Sequence, residues 1–156
     1  MTTITKIMPD NYDDLSIMVG ELLDEIMALT NSPVFKFDKI KTAQRAKVLI
    51  EEDKYWVFIA TDNNNNAVGF VSLYESYALY AEGAYGTIPE LYVRPTYRSQ
   101  NIGKDLLNKA IDFAEQKDWK QLEVTTPPLP EFVKTLQFYR ENSFQITGGR
   151  KLRLKI

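Results

Sequence analysis

The chain has 156 residues, 44% of them hydrophobic, with 19 Lys or Arg against 21 Asp or Glu and a net charge of −2. It contains no Cys and no His, which excludes disulfides, a Cys nucleophile, zinc sites built from Cys or His, and Ser-His-Asp catalysis. Any proton transfer therefore falls to Asp, Glu, Tyr, Lys, a terminus or water.

Length and apolar content predict one domain over residues 1–156, with a sizeable core. The near-neutral charge argues against a nucleic-acid partner, which usually demands a basic face. No apolar window is long enough to span a membrane, and "MTTITKIMPDNYDDL" lacks a signal peptide's pattern. The expectation is a soluble cytoplasmic protein.

In chain order, "ITKIM" reads as a first strand. Leu15, Met18, Val19, Leu22, Leu23 and Ile26 recur at helical spacing and predict a helix over 12–29. Pro33 stops it, and Asp38 is placed to cap a second helix running to about Ile50, with Ile40, Ala43, Ala46, Leu49 and Ile50 as its stripe. "YWVFIAT" and "AVGFVSLYES" flank the "NNNN" of 63–66 and predict a hairpin, since Asn tolerates a left-handed turn. "AYGTIPELYV" reads as another strand, interrupted by Pro89. Ile102, Leu106, Leu107, Ala110, Ile111 and Ala114 form one stripe, predicting a helix from Gly103 to about Lys117. "QLEVTT" is a strand, "PPLP" a break and "EFVKTLQFYREN" a helix. "FQITG" and the alternating "RKLRLKI" are expected to close the chain as two strands. The order β-α-α-β-β-β-α-β-α-β-β defines an α/β protein with a mixed sheet.

The chemistry centres on "RSQNIGK", Arg98 to Lys104, between a strand and a helix. A helix N-terminus offers unpaired N–H groups and partial positive charge, which suit a phosphate. One glycine alone is weak evidence, and a plain strand-to-helix turn capped by Asn101 is the alternative. Lys104 is followed by Asp105 rather than Ser or Thr, so the P-loop pattern for nucleotides is absent.

Four stretches in order, "VGFVSLYE", "PELYVRPTYRSQNIGKDLLNKAIDFA", "LEVTT" and "TLQFYRENSF", resemble the GCN5-related N-acetyltransferase (GNAT) superfamily. The resemblance is firm over about residues 84–147 and extends to the front half only as an order of elements. It implies a single-domain fold with a mostly antiparallel central sheet and about four flanking helices. It also implies acetyl transfer from acetyl-CoA, as cosubstrate, to an amine, with no metal. The family's Arg/Gln-x-x-Gly-x-Gly/Ala loop aligns with Arg98 to Gly103, with Asn101 in place of the first glycine.

Carried over residue by residue, the resemblance assigns the pyrophosphate to the loop Arg98, Ser99, Gln100, Asn101, Ile102, Gly103 and Lys104. It assigns the thioester and pantetheine arm to the backbone of Leu91, Tyr92 and Val93 in a bulged strand. Glu90 would be the base that deprotonates the ammonium, and Tyr139 the acid that protonates the leaving thiolate. Each has a structural alternative: Glu90 as a solvated strand-end carboxylate, Tyr139 as core packing beside Phe132 and Leu136. "NSPVFKF" and "YESYALYAEGAYG", with Phe35, Phe37, Tyr74, Glu75, Tyr77, Tyr80, Glu82 and Tyr85, suit either a cationic acceptor or a homodimer interface. Asn101 also leaves room for a second reading, a non-catalytic acyl-CoA-binding or regulatory module on the same fold.

Overall fold

The computed structural model describes residues 1–156 as two compact units, Met1–Thr125 and Thr126–Ile156. In the first, the elements are β1 (Thr3–Lys6), α1 (Tyr12–Thr30), α2 (Lys39–Glu51), β2 (Trp56–Thr61), β3 (Ala67–Ala78), β4 (Gly83–Ile88), β5 (Leu91–Val93), α3 (Ile102–Gln116) and β6 (Leu122–Val124). The second holds α4 (Val133–Glu141). The fold class is α/β with a mixed six-stranded sheet and four helices.

The sheet runs β1-β2-β3-β4-β6, with β5 also paired to β3. All its pairings are antiparallel except β4 with β6. β2 is buried almost throughout, because helices cover both faces and no solvent side remains to be polar. Its alternation separates two packing sets. Val57 and Ile59 join Ile7, Leu15, Met18, Phe70 and Tyr92 beneath α1. Trp56 and Phe58 meet Phe113 of α3 at ring distances of 5.3 and 5.6 Å. The α3 stripe is buried as its spacing predicts, at Ile102, Leu106, Leu107, Ala110 and Ala114. Each of its large aliphatic side chains contributes about 1.5–3 kcal/mol by leaving water. That burial fixes the helix whose N-terminus follows "RSQN".

The predicted α1, the hairpin and the Asp38 cap all form; the Asp38 carboxylate accepts from the Lys41 N–H at 2.9 Å. Two expectations need correction. The α2 stripe buries no residue fully, and Ile40 is exposed; only Ala46 and Ile50 lean on the core. In the second unit, "FQITG" and "RKLRLKI" form no strands. A strand exists only through its ladder, and no backbone hydrogen bond involves residues 145–156. Gly148 and Gly149, at φ +96° and +81°, turn the chain out of extended geometry.

The "AYGTIPELYV" segment is two strands rather than one. β3 pairs Tyr74 with Thr87 and Val71 with Leu91. Ser72 and Leu73 therefore face three residues, Ile88, Pro89 and Glu90, which is a one-residue bulge. Pro89 has no N–H to give the ladder. Instead the Ser72 N–H donates to the Glu90 carbonyl at 3.0 Å, and the Glu90 N–H donates to Ser72 Oγ at 3.1 Å.

Candidate active site

β4 pairs with β6 as far as Ile88 opposite Val124. Beyond the bulge β5 pairs only with β3, so the sheet opens between β5 and β6. The direction of its backbone groups follows from the ladder. Glu90 and Arg94 engage Ser72 and Val68 of β3, and in an antiparallel pair the residues between alternate outward. The N–H groups of Leu91 and Val93 thus face the open side. The Tyr92 side chain turns into the core and is buried, with the Arg98 guanidinium 5.7 Å from its ring centre.

The loop after β5 is fastened by side chains. Arg94 donates through Nε to both Glu21 oxygens at 3.0 and 3.1 Å, and through Nη1 to the Ala67 carbonyl at 2.8 Å. Arg98 donates to the two Glu25 oxygens at 2.8 and 2.9 Å, and through Nε to the Val93 carbonyl at 2.8 Å. Glu21 and Glu25 lie one helical turn apart on α1, so one face of that helix holds both arginines. Lys104 is exposed and pairs with no carboxylate.

At the turn itself Asn101 takes φ +63°, ψ +8°, the left-handed conformation that a glycine would supply. Ser99 is left-handed too, at φ +64°; nothing in its residue type signals that. The Asn101 side chain does not cap α3, as the plain-turn alternative would have it; its carbonyl accepts the Asp105 N–H at 2.9 Å. The N–H groups of Ser99, Gln100, Asn101, Ile102, Gly103 and Lys104 have no backbone or side-chain acceptor. Six consecutive free amides at the N-terminus of a 15-residue helix form an anion-attracting surface. The Ile102 side chain is buried under α3 and serves the core.

Glu90 occupies the bulge, where Tyr55 and Ser72 each donate a 2.6 Å hydrogen bond to its Oε1. Loss of hydration raises its pKa above the ordinary carboxylate range, and the two hydroxyls oppose that rise. Burial, and then the Glu90 charge, push the Tyr55 phenol upward in turn. Sequence reasoning missed Tyr55 and Ser72, because only the hairpin register and the bulge bring them to Glu90.

In the second unit Tyr139 is 5% exposed, its ring edge-on to Phe138 and Phe144 at 5.2 and 5.3 Å. Burial raises its pKa, so its proton stays on at neutral pH. Its hydroxyl has no protein partner, yet no buried side-chain polar atom is left unsatisfied; the hydroxyl therefore reaches solvent.

The aromatic segments divide. Phe37 folds onto Gly20 of α1, so closely that a Cβ there would lie 2.5 Å from the ring. Glu75 accepts from Trp119 Nε1 at 2.6 Å and from the Tyr77 hydroxyl, which occupies both of its oxygens. Tyr77 and Tyr80 stay exposed at the β3–β4 tip, and Tyr74 stacks on Tyr55 at 6.3 Å. No group of His, Cys, Asp and Glu side chains is placed to hold a metal ion, and no helix is long and apolar enough to cross a membrane.

A mixed sheet that opens beyond a bulge, with a free helix N-terminus after the bulged strand, suits an extended ligand that carries an anionic group. The family model described as "Acetyltransferase (GNAT) family" matches residues 21–142, and the chain belongs to that family. An uncharacterized N-acetyltransferase of Archaeoglobus fulgidus is 33% identical over 79 residues, 50% of this chain and 53% of that protein; the match thus spans about half of the relative's length. Among solved structures, a predicted acetyltransferase with acetyl-CoA from Clostridium acetobutylicum has a TM-score of 0.80 at 16% identity, over 99% of this chain and 96% of that one. A transcriptional regulator from Bacillus halodurans has a TM-score of 0.79 at 19% identity, over 99% and 100%. These structural likenesses speak for the fold.

Proposed function

We propose that the chain is an N-acetyltransferase that moves an acetyl group from acetyl-CoA to an amine by direct attack in a ternary complex, with 1–156 acting as one catalytic domain. The observation that carries the reading is the run of free amides from Ser99 to Lys104, held open by left-handed Ser99 and Asn101. The pyrophosphate fits that surface, with Lys104 adding charge. The outward N–H groups of Leu91 and Val93 suit the pantetheine amide and the thioester oxygen.

In this mechanism Glu90 takes a proton from the incoming ammonium, directly or through water. The amine nitrogen then bonds to the acetyl carbon as the C–S bond breaks, and the nitrogen gives its second proton to water as the neutral amide forms. The CoA sulfur receives a proton from Tyr139, which regains one from solvent. The acid role rests on the place of Tyr139 in the family pattern and on its protonated, solvent-reaching hydroxyl. Without cysteine no acetyl-thioenzyme can form, which favours the direct route. A cytoplasmic site and a homodimer belong to the same reading.

The test is CoA release from acetyl-CoA with a thiol reagent, which meets no protein thiol background. A panel of spermidine, an aminoglycoside, a lysine-bearing peptide and a peptide with a free N-terminus samples the acceptor classes. Turnover with any of them, together with a thermal shift from acetyl-CoA, supports the reading. An acetyl-CoA shift with no turnover on any amine favours the non-catalytic acyl-CoA-binding module, and no shift at all sinks both.

A further inference from the structure

The Glu90 carboxylate is held asymmetrically. Both hydroxyl donors, Tyr55 and Ser72, reach the same oxygen, Oε1, at 2.6 Å, while Oε2 has no protein partner. Because no buried side-chain polar atom is left unsatisfied, Oε2 must be the oxygen that solvent reaches. The Ser72 hydroxyl is itself fixed. Its oxygen accepts the Glu90 N–H at 3.1 Å, and its proton is aimed at Oε1 at 2.6 Å in preference to the Glu90 carbonyl at 3.3 Å. Ser72 is fully buried, and Tyr55 is braced by the Tyr74 ring. Three chain segments thus meet on one oxygen: the residue before β2, the middle of β3, and the bulge.

We infer that Tyr55 and Ser72 are positioning residues that pin Glu90 through Oε1 and present Oε2 as the atom that receives the proton of the acceptor amine. This rests on the reading of Glu90 as the base. Two O–H donors on one oxygen favour the ionised carboxylate, which a base needs, in a place where lost hydration works against ionisation. They also stop the carboxyl group rotating, so that one oxygen alone meets the substrate. The groups that bear on the ionisation of Glu90 are these two hydroxyls, with Tyr74 behind Tyr55.

Tyr55→Phe, Ser72→Ala, the conservative Ser72→Thr and Glu90→Gln test the inference. The readouts are the Glu90 side-chain carboxyl signal in 13C-Glu-labelled protein across pH, and the pH profile of kcat/KM with acetyl-CoA and the fastest amine of the panel. Loss of either hydroxyl should move both the Glu90 midpoint and the acidic limb upward. It should also lower kcat/KM at pH 7 by about tenfold, the scale of one hydrogen bond to a charged group, and Ser72→Thr should restore both. Packing damage would lower activity at every pH without moving the limb. Folded variants whose midpoint and limb stay at the wild-type positions overturn the inference while Glu90→Gln remains inactive. A fully active Glu90→Gln overturns the base reading and this inference with it.

Discussion

Asn101 stands where the family's loop carries a glycine, and it adopts the glycine's backbone, φ +63°. A side chain with a Cβ pays about 1–2 kcal/mol in this region, and Asn pays less than most. Asn101→Val brings the full cost plus β-branching, whereas Asn101→Gly removes it. If the valine variant keeps the turn, the cost appears as lost stability. About 1–2 kcal/mol corresponds to a fall in Tm of roughly 2–8 °C for a chain of this size. If the turn relaxes instead, the amides from Ser99 to Lys104 lose their arrangement, and the same energy appears as roughly 5- to 30-fold weaker acetyl-CoA binding. Calorimetric Kd and thermal unfolding, measured on the same samples, should together account for the cost. Asn101→Gly should bind as tightly as the wild type or more so. An Asn101→Val protein with unchanged Tm and unchanged Kd refutes the strained-cradle argument.

Lys104 is free of carboxylates while Arg98 is neutralised by Glu25, so Lys104→Gln should weaken acetyl-CoA binding and flatten its salt dependence more than Arg98→Gln does. Titrations across a NaCl series decide this. Tyr139→Phe removes a hydroxyl with no protein partner. It should therefore leave Tm unchanged while lowering kcat by about a hundredfold, the low end for a lost general acid; equal turnover excludes the acid role. Glu90 gives a stability prediction with a definite sign. Its folded pKa is raised, so the stability it contributes is complete below its unfolded value of about 4.3 and is lost as pH climbs through the folded one. Glu90→Gln should therefore gain in Tm relative to the wild type between pH 4 and pH 8, at the expense of activity. A difference in Tm that is constant across that range contradicts it.

The sequence displayed the helices well because their evidence is local. The α3 stripe and the Asp38 cap depend on neighbours within a few positions, and both form as predicted. Pro89 announced an interruption, but not that three residues would face two. The count depends on how β3 pairs on either side, and that register places Ser72, 18 positions away, and Tyr55, 35 away, on Glu90. Arg98 shows the same limit. Its charge read naturally as a phosphate ligand, yet Glu25 on α1 holds both ends of its guanidinium, 73 positions distant. Residues 145–156 show the converse: period-two alternation describes a segment able to be a strand, and only a partner makes it one. Asn101 was legible in part, since its residue type permits the left-handed turn. Ser99 was not, because serine carries no such mark.

The three-against-two mismatch at Ile88, Pro89 and Glu90 also acts as a phase shifter. Side chains along a strand alternate in parity, and one surplus residue puts β5 out of step with β4. Excising Pro89 would leave two residues facing two, with Tyr74 still opposite Thr87 and Val71 still opposite Leu91. Tyr92 would keep its place opposite Phe70 and Val93 its place opposite Gly69; what would go is the kink that sets Glu90 apart from a regular ladder. The bulge that carries Glu90 therefore depends on residue number before residue identity. A length change of one in this short span is a lesion that no substitution at Leu91, Tyr92 or Val93 could repair.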